Sequence, residues 1–141
     1  MIVTDQIEEL RQHRWANSTL TWGFVPTMGF LHAGHLSLVQ LSLEGNDKTA
    51  VSIYVNPTQF APTEDLSSYP RNLAGDLALL KEAGVDLVFT PSDALMYPPA
   101  FQTTVSLSQV TQPLEGSSRP THFAGVATVV AKLFNIVQPT R

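Results

Sequence analysis

Two histidines, His32 and His35, stand three positions apart in Pro26-Thr27-Met28-Gly29-Phe30-Leu31-His32-Ala33-Gly34-His35, with a glycine directly before the second. If this stretch opens a helix, both imidazoles lie in the first turn and project toward one bound anion. A helix N-terminus carries about half a positive charge and several unpaired N–H groups, and Gly34 lets a phosphate approach that backbone. Histidine donors placed there can stabilise charge building up on an α-phosphate as pyrophosphate is displaced, with no covalent intermediate. Other readings of the spacing stay open. A His-x-x-His pair can bind a metal, but it needs a third ligand, and His122 is the only other histidine outside the N-terminal helix. The pair can also be packed as structural residues. A Walker phosphate loop is excluded, because no Gly-Lys-Ser/Thr follows Gly29 and Gly34.

The flanking patterns supply the elements that must hold this motif. Leu20, Trp22 and Phe24 alternate with smaller residues up to Val25, as in a strand, and Pro26 is expected to end its pairing. Gly29 permits a sharp turn. Leu36 to Leu43 is ambiguous by periodicity: Leu36, Val39 and Leu43 fit a helix and Leu36 and Leu38 a strand register, with its length and Gly45 as a stop favouring helix. Ala50 to Val55 is a buried strand rich in β-branched residues, ended by Asn56-Pro57. The stretch from Asn56 to Pro70 has three prolines and no periodicity, and a loop of that length in a compact domain is usually functional. Leu73, Leu77 and Leu80 form a helical stripe, with Asn72 and Gly84 as caps. Asp86 to Thr90 reads as another strand.

Strand, helix, strand, helix, strand in succession predicts an α/β fold with a Rossmann-like parallel sheet and right-handed crossovers. Ligands of such sheets bind at the carboxyl ends of the strands, where the histidine motif and the Asn56–Pro70 loop both fall. Towards the N-terminus, Asp5 to Glu8 resembles a capping box for a short helix with Ile7, Leu10 and Arg14 on one face. Towards the C-terminus, Pro98-Pro99 marks a turn, Thr103 to Leu107 a short strand, and Leu114 to Pro120 a loop. A final helix carries Val126, Val129, Val130, Leu133, Phe134 and Val137 at helical spacing.

Composition excludes several classes. A length of 141 residues, 43% hydrophobic and 14% charged, fits one packed domain. The net charge of −4 argues against a broad nucleic-acid surface while leaving room for a local anion site. Without cysteine, neither disulfides nor thiolate metal sites can form. The absence of a signal-peptide core and of long apolar runs points to a cytoplasmic protein.

Several segments, in order, resemble the signatures of the pantothenate synthetase (pantoate–β-alanine ligase) family. They are Val25-Pro-Thr-Met-Gly29, His32-Ala-Gly-His35, Val55-Asn-Pro-Thr-Gln-Phe60, Tyr69-Pro-Arg71, Leu114-Glu-Gly-Ser-Ser-Arg-Pro-Thr-His-Phe123 and Lys132-Leu-Phe-Asn135. His-x-Gly-His alone indicates only the wider nucleotidylyltransferase superfamily; the Asn-Pro-x-Gln-Phe and Arg-Pro-x-His-Phe segments narrow it. The resemblance implies ATP-dependent condensation of pantoate with β-alanine through a pantoyl adenylate, with magnesium assisting, in a homodimer. It assigns ATP contacts to Met28, Gly29, Phe30, Leu31, His32, Ala33, Gly34 and His35. His35 matches the proton donor, with His32 as its catalytic companion. Gln59 matches the residue that holds pantoate and later β-alanine; Thr27, Met28, Asn56, Tyr69 and His122 fall near it. A glutamine amide suits that role, since it can donate to a carboxylate and accept from a hydroxyl. Asp76 falls where the family has an acid near magnesium, but Gly75 stands where a second acid is often found. Glu115 and Arg119 can be site residues or dimer contacts.

Family members are longer, and their further signatures, a Gly-x-Lys-Asp-x-Gln strand and a Ser-Ser-Arg-Asn loop on the ATP phosphates, have no counterpart before Arg141. Residues 1–141 are therefore expected to be an incomplete N-terminal nucleotide-binding domain lacking the C-terminal domain, with an unpaired sheet edge and weak or no turnover of its own. Two alternatives remain at this stage. One is a fragment that only binds ligand, and the other is a different adenylyltransferase of the same superfamily.

Overall fold

The computed structural model describes residues 1–60, 65–109, 111 and 122–141. It divides into two compact units: Met1–Val55 with Pro70–Ser92 and Ile136–Arg141, and Asn56–Tyr69 with Asp93–Asn135.

The first unit is built on a parallel sheet. Its elements are β1 (Ile2–Thr4), α1 (Ile7–Trp15), β2 (Trp22–Thr27), α2 (Ala33–Gly45), β3 (Lys48–Ile53), α3 (Leu73–Ala83) and β4 (Leu87–Phe89), and the strands lie in the order β1-β4-β3-β2. All three pairings are parallel, with Val25 opposite Val51, Val51 opposite Val88, and Val88 opposite Val3. The two inner strands are largely buried on both faces, as in a parallel sheet covered by helices, with Thr49 and Ser52 the buried polar residues of β3. Val51, Val88 and Phe89 are fully buried, and Val25, Val39, Leu80 and Val85 complete the core around two of them. The expected parallel α/β architecture is present. Asn72 caps α3 through its Oδ1, which accepts from Gly75 N at 3.1 Å, and Gly84 closes the helix at φ 92°.

Four features of this unit depart from the sequence reading, the first an element it did not reach and the others corrections. First, β1 escapes a periodicity reading, because three residues at a chain terminus are too short to show one. Second, the Asp5–Glu8 capping box does not form: Gln6 is the N-cap and makes no side-chain cap. Thr4 does that work, accepting from Gln6 N at 3.1 Å and donating to Glu9 at 2.5 Å. Third, β2 does not stop at Pro26; the residue lies in the strand opposite Ser52. Backbone groups alternate sides along a strand, and those of Trp22 and Phe24 turn away from β3. Trp22 O accepts from Thr140 N (2.7 Å) and Arg141 N (3.2 Å), and Phe24 N donates to Arg141 O (2.9 Å). Pro26 shares their parity, so its missing N–H costs no bond to β3. Fourth, those same bonds mean that the outer edge of β2 is paired at Trp22 and Phe24. Arg11 and Arg14 secure the approach to that edge, donating to Ile136 O and Gln138 O at 3.4 and 2.9 Å.

The second unit has 3₁₀ turns at Pro57–Gln59 and Leu66–Ser68, a short helix α4 (Asp93–Met96), and the start and body of α5 (His122–Val137). The Pro98 turn is present, closed by Phe101 N on Pro98 O at 3.0 Å. The expected strand at 103–107 is not. Thr128 Oγ1 accepts from Val105 N (3.0 Å) and donates to Val105 O (3.4 Å), so one side chain satisfies both groups a ladder would use. The 114–120 loop, with Glu115 and Arg119, lies outside the described residues.

Among the described residues no helix is long and apolar enough to cross a membrane. Leu80 is fully buried, whereas Leu79 beside it is 37% exposed. Leu80→Ala should lower stability by about 2–5 kcal/mol through transfer and cavity terms. The expected sign is a lower urea midpoint at unchanged slope, with Leu79→Ala close to wild type.

Candidate active site

The histidine motif begins where β2 ends. Thr27, buried at the last strand position, donates to Ser52 O at 2.8 Å and accepts from Gly29 N at 3.1 Å, which turns the chain out of the sheet. Gly29 follows at φ 80° and Phe30 at φ 51°. A left-handed phenylalanine costs on the order of 1–3 kcal/mol and persists only where its surroundings hold it. Asp76 holds it. Reaching over from α3 and only 3% exposed, its carboxylate accepts from Phe30 N and Leu31 N, each at 2.8 Å, through separate oxygens.

This turn delivers His32 to the N-cap of α2. His32 Nδ1 accepts from Gly34 N at 3.1 Å, and His35 Nδ1 accepts from His32 N at 3.4 Å, a capping box made of two imidazoles. The rings are 4.1 Å apart between centroids. A ring nitrogen that accepts from a backbone N–H carries no proton, so each neutral imidazole bears its hydrogen on Nε2. Backbone capping thus sets both tautomers and gives each ring one Nε2–H donor. Burial pushes the His35 imidazole below its ordinary pKa, and the neighbouring His32 lowers it further, against a smaller opposing pull from Asp76. His35 is therefore neutral near pH 7. Met28 and Leu31 are half-buried, while Phe30, Ala33 and Gly34 are exposed.

The remaining expected residues lie in the second unit. Asn56 is fully buried, and its Oδ1 accepts from Tyr97 OH (2.8 Å), Thr58 Oγ1 (3.1 Å) and Thr58 N (3.4 Å). Its Nδ2 donates to Gln59 Oε1 (3.0 Å) and Gly125 O (3.3 Å). His122 Nδ1 lies 2.9 Å from Gln59 O. A carbonyl can only accept, so this nitrogen is protonated and Nε2 is the acceptor of the neutral ring. Gly125 is required for this packing: a Cβ there would sit 2.3 Å from Thr58 O and 3.0 Å from Gln59 N. Tyr69 is half-buried, its ring edge-on to Phe60 at 5.8 Å.

The expected residues thus fall into two sets, one ordered around Asp76 and the other around Asn56. Sequence reading missed the loop-holding part of Asp76, 46 positions from Phe30, and missed Tyr97 altogether, 41 positions from Asn56. As for magnesium, both Asp76 oxygens already serve backbone donors. Among the described residues no group of three or more His, Cys, Asp or Glu could hold a metal ion. The described residues therefore offer no all-protein cage for magnesium.

The family model for pantoate-beta-alanine ligase matches residues 2–141. The chain belongs to the pantoate-beta-alanine ligase family. Similar relatives include the pantothenate synthetase of Herpetosiphon aurantiacus, 59% identical across this whole chain and 50% of that protein. That of Gluconobacter oxydans is 63% identical over 86% of this chain and 44% of that protein. Among solved structures, a pantothenate synthetase from Thermus thermophilus superposes with a TM-score of 0.92 at 50% identity, covering all of this chain and 50% of that one. A pantoate-beta-alanine ligase from Francisella tularensis, complexed with beta-gamma ATP and beta-alanine, gives 0.93 at 41% identity, covering 99% of this chain and 54% of that one. The chain thus spans about half the length of the relatives it matches, and its parallel sheet with flanking helices is the nucleotidylyltransferase fold of this ligase family.

Two outcomes check this geometry. In Asp76→Asn, one backbone N–H of the Phe30–Leu31 pair faces an amide NH₂ and loses its acceptor. The expected cost is about 1–3 kcal/mol of stability, read by urea unfolding. By NMR titration, His35 should protonate below an ordinary imidazole, and His32→Ala should raise its value. Because the native chain binds fewer protons at His35 than the unfolded chain, the linked stability is complete above about pH 6.5. It is lost as pH falls through that value toward the lowered native one.

Proposed function

We propose that this chain carries the histidine part of an ATP-dependent ligase that condenses pantoate with β-alanine through a pantoyl adenylate. The observation that carries the reading is the double-histidine cap at the start of α2, with both Nε2–H donors set by backbone bonds. His32, His35 and the backbone from Met28 to Gly34 receive the ATP phosphates; Gln59 receives the carboxylate of pantoate and later of β-alanine. Thr27, Met28, Asn56, Tyr69 and His122 support the acid. In the first step a carboxylate oxygen of pantoate attacks the α-phosphorus and the bond to pyrophosphate breaks. The imidazole N–H groups stabilise the charge that develops on the phosphoryl oxygens. In the second step the β-alanine amine attacks the acyl carbon, AMP departs with the bonding pair, and the amine loses its proton. Family membership and the ATP and β-alanine named with the Francisella structure support this assignment. Magnesium is not assigned to residues of this chain, and no step depends on it. The working form is a cytoplasmic homodimer of the family's full-length protein.

In that protein, His35→Ala should lower kcat by about 10²–10³, the usual loss for one prearranged donor to a transition-state oxygen. A polypeptide of residues 1–141 should bind nucleotide and pantoate but form adenylate slowly, because much of phosphoryl-transfer catalysis is positive charge on the phosphates. Adenylate formation at the full-length rate by residues 1–141 refutes the second expectation. Calorimetry separates the alternatives. Gln59→Ala should weaken pantoate binding at least tenfold while ATP binding is kept. Nucleotide binding without any pantoate binding in the unmutated chain would instead overturn the assignment of the pantoate residues.

A further inference from the structure

The histidines beyond α1 do not all present the same chemistry. His32 and His35 accept backbone N–H groups at Nδ1, which leaves each neutral ring an Nε2–H donor. His122 is the reverse case. Its Nδ1 stands 2.9 Å from Gln59 O, and a carbonyl can only accept, so Nδ1 carries the proton and Nε2 of the neutral ring is a lone-pair acceptor. Among the described residues that acceptor has no hydrogen-bond partner; the ring's other contact is with Phe123, at 5.2 Å between centroids and tilted 66°.

The backbone fixes where this ring sits. His122 and Gly125, one turn apart on α5, both rest on the Pro57–Gln59 turn. Gly125 lies so close that a Cβ there would stand 2.3 Å from Thr58 O, and its carbonyl accepts from Asn56 Nδ2 at 3.3 Å. His122 reaches the next carbonyl of the same turn and is half-buried. Nε2 lies across the imidazole from Nδ1, on the side of the ring away from that carbonyl. A lone pair placed there repels a carboxylate or a phosphate oxygen and pairs only with a donor. Pantoate carries hydroxyls beside its carboxylate, and among its oxygens only the hydroxyls can donate.

We infer that His122 is a specificity-determining residue for the acid: its Nε2 accepts a hydrogen bond from a substrate hydroxyl, so the site selects a hydroxy acid over the same acid without hydroxyls. The inference rests on the pantoate reading for the place of the acid beside Gln59. A site made to pair with a hydroxyl rejects the analogue lacking it, because its own polar group is then left unpaired. The tautomers thereby divide the histidines, with donors for phosphate on α2 and an acceptor for a hydroxyl on α5.

The test compares pantoate with tert-butylacetate, which keeps the carbon skeleton and carboxylate and lacks the hydroxyls. His122→Asn keeps an amide nitrogen near the Nδ1 position for Gln59 O and has nothing at the Nε2 position. By NMR titration it should lower pantoate affinity about three- to tenfold, the scale of one hydrogen bond, and leave tert-butylacetate affinity unchanged. A second measurement serves if the variant folds poorly. In ¹⁵N spectra of the unmutated chain the neutral His122 ring should carry its proton on Nδ1. Its Nε2 signal should move on adding pantoate and stay on adding tert-butylacetate. An equal loss for both acids in His122→Asn overturns the inference, because it marks a support for the Gln59 turn alone. So does an unchanged pantoate affinity, a ligand-free proton on Nε2, or an Nε2 signal that pantoate does not move. If the unmutated chain binds both acids equally, the inference falls while the placing of the acid stands. If it binds neither, the assignment of the pantoate residues fails and the inference falls with it.

Discussion

One buried carboxylate organises the first unit's functional end. Asp76 gives each of its oxygens to a separate backbone N–H, those of Phe30 and Leu31, at 2.8 Å. That pair of charge-assisted bonds offsets the cost of holding Phe30 at φ 51° and fixes where the chain leaves the turn. Everything after the turn inherits its direction. His32 becomes the N-cap of α2, His35 bonds back to it, and the tautomers of both rings follow from which nitrogen the backbone occupies. Here a capping motif, normally a matter of helix stability, also determines which imidazole atoms remain to donate.

The second unit solves a similar problem with neutral groups. An amide reads nearly the same either way round, so its partners must decide which branch carries the donors. Asn56 is wholly buried, and its orientation is dictated by Thr58 N, which can only donate, and Gly125 O, which can only accept. A buried amide with every partner assigned has one low-energy arrangement, since the alternative leaves unpaired polar atoms where water cannot reach. The close approach of Gly125 to Thr58 keeps α5 near enough for its carbonyl to take part.

Most of the fold was legible because its signals are local. Apolar runs, Asn72 and Gly84 marked β3, α3 and β4 to within a few residues, and alternation of elements implied the parallel sheet. The errors came where a distant group changed a local rule. Pro26 normally ends pairing, but its parity in β2 turns its missing donor away from β3. Val105 has strand-like neighbours, yet Thr128, 23 positions on, takes both of its backbone groups. Thr4 displaced the expected Asp5 cap because its hydroxyl, at the end of β1, reaches both Gln6 N and Glu9.

By itself the sequence determined the fold class, the family and the residue types available for chemistry. Each rests on patterns within one element or on short motifs that survive as strings: His32-Ala-Gly-His35, Asn56-Pro-Thr-Gln59, the leucines of α3. Only the tertiary structure decided what those residues are prepared to do. The protonated nitrogen of each histidine, the employment of Asp76 by a loop 46 positions away and the orientation of the Gln59 amide all depend on partners brought close by folding. Hydrogen bonds act over about 3 Å in space, and separation along the chain carries no record of which donors and acceptors will meet.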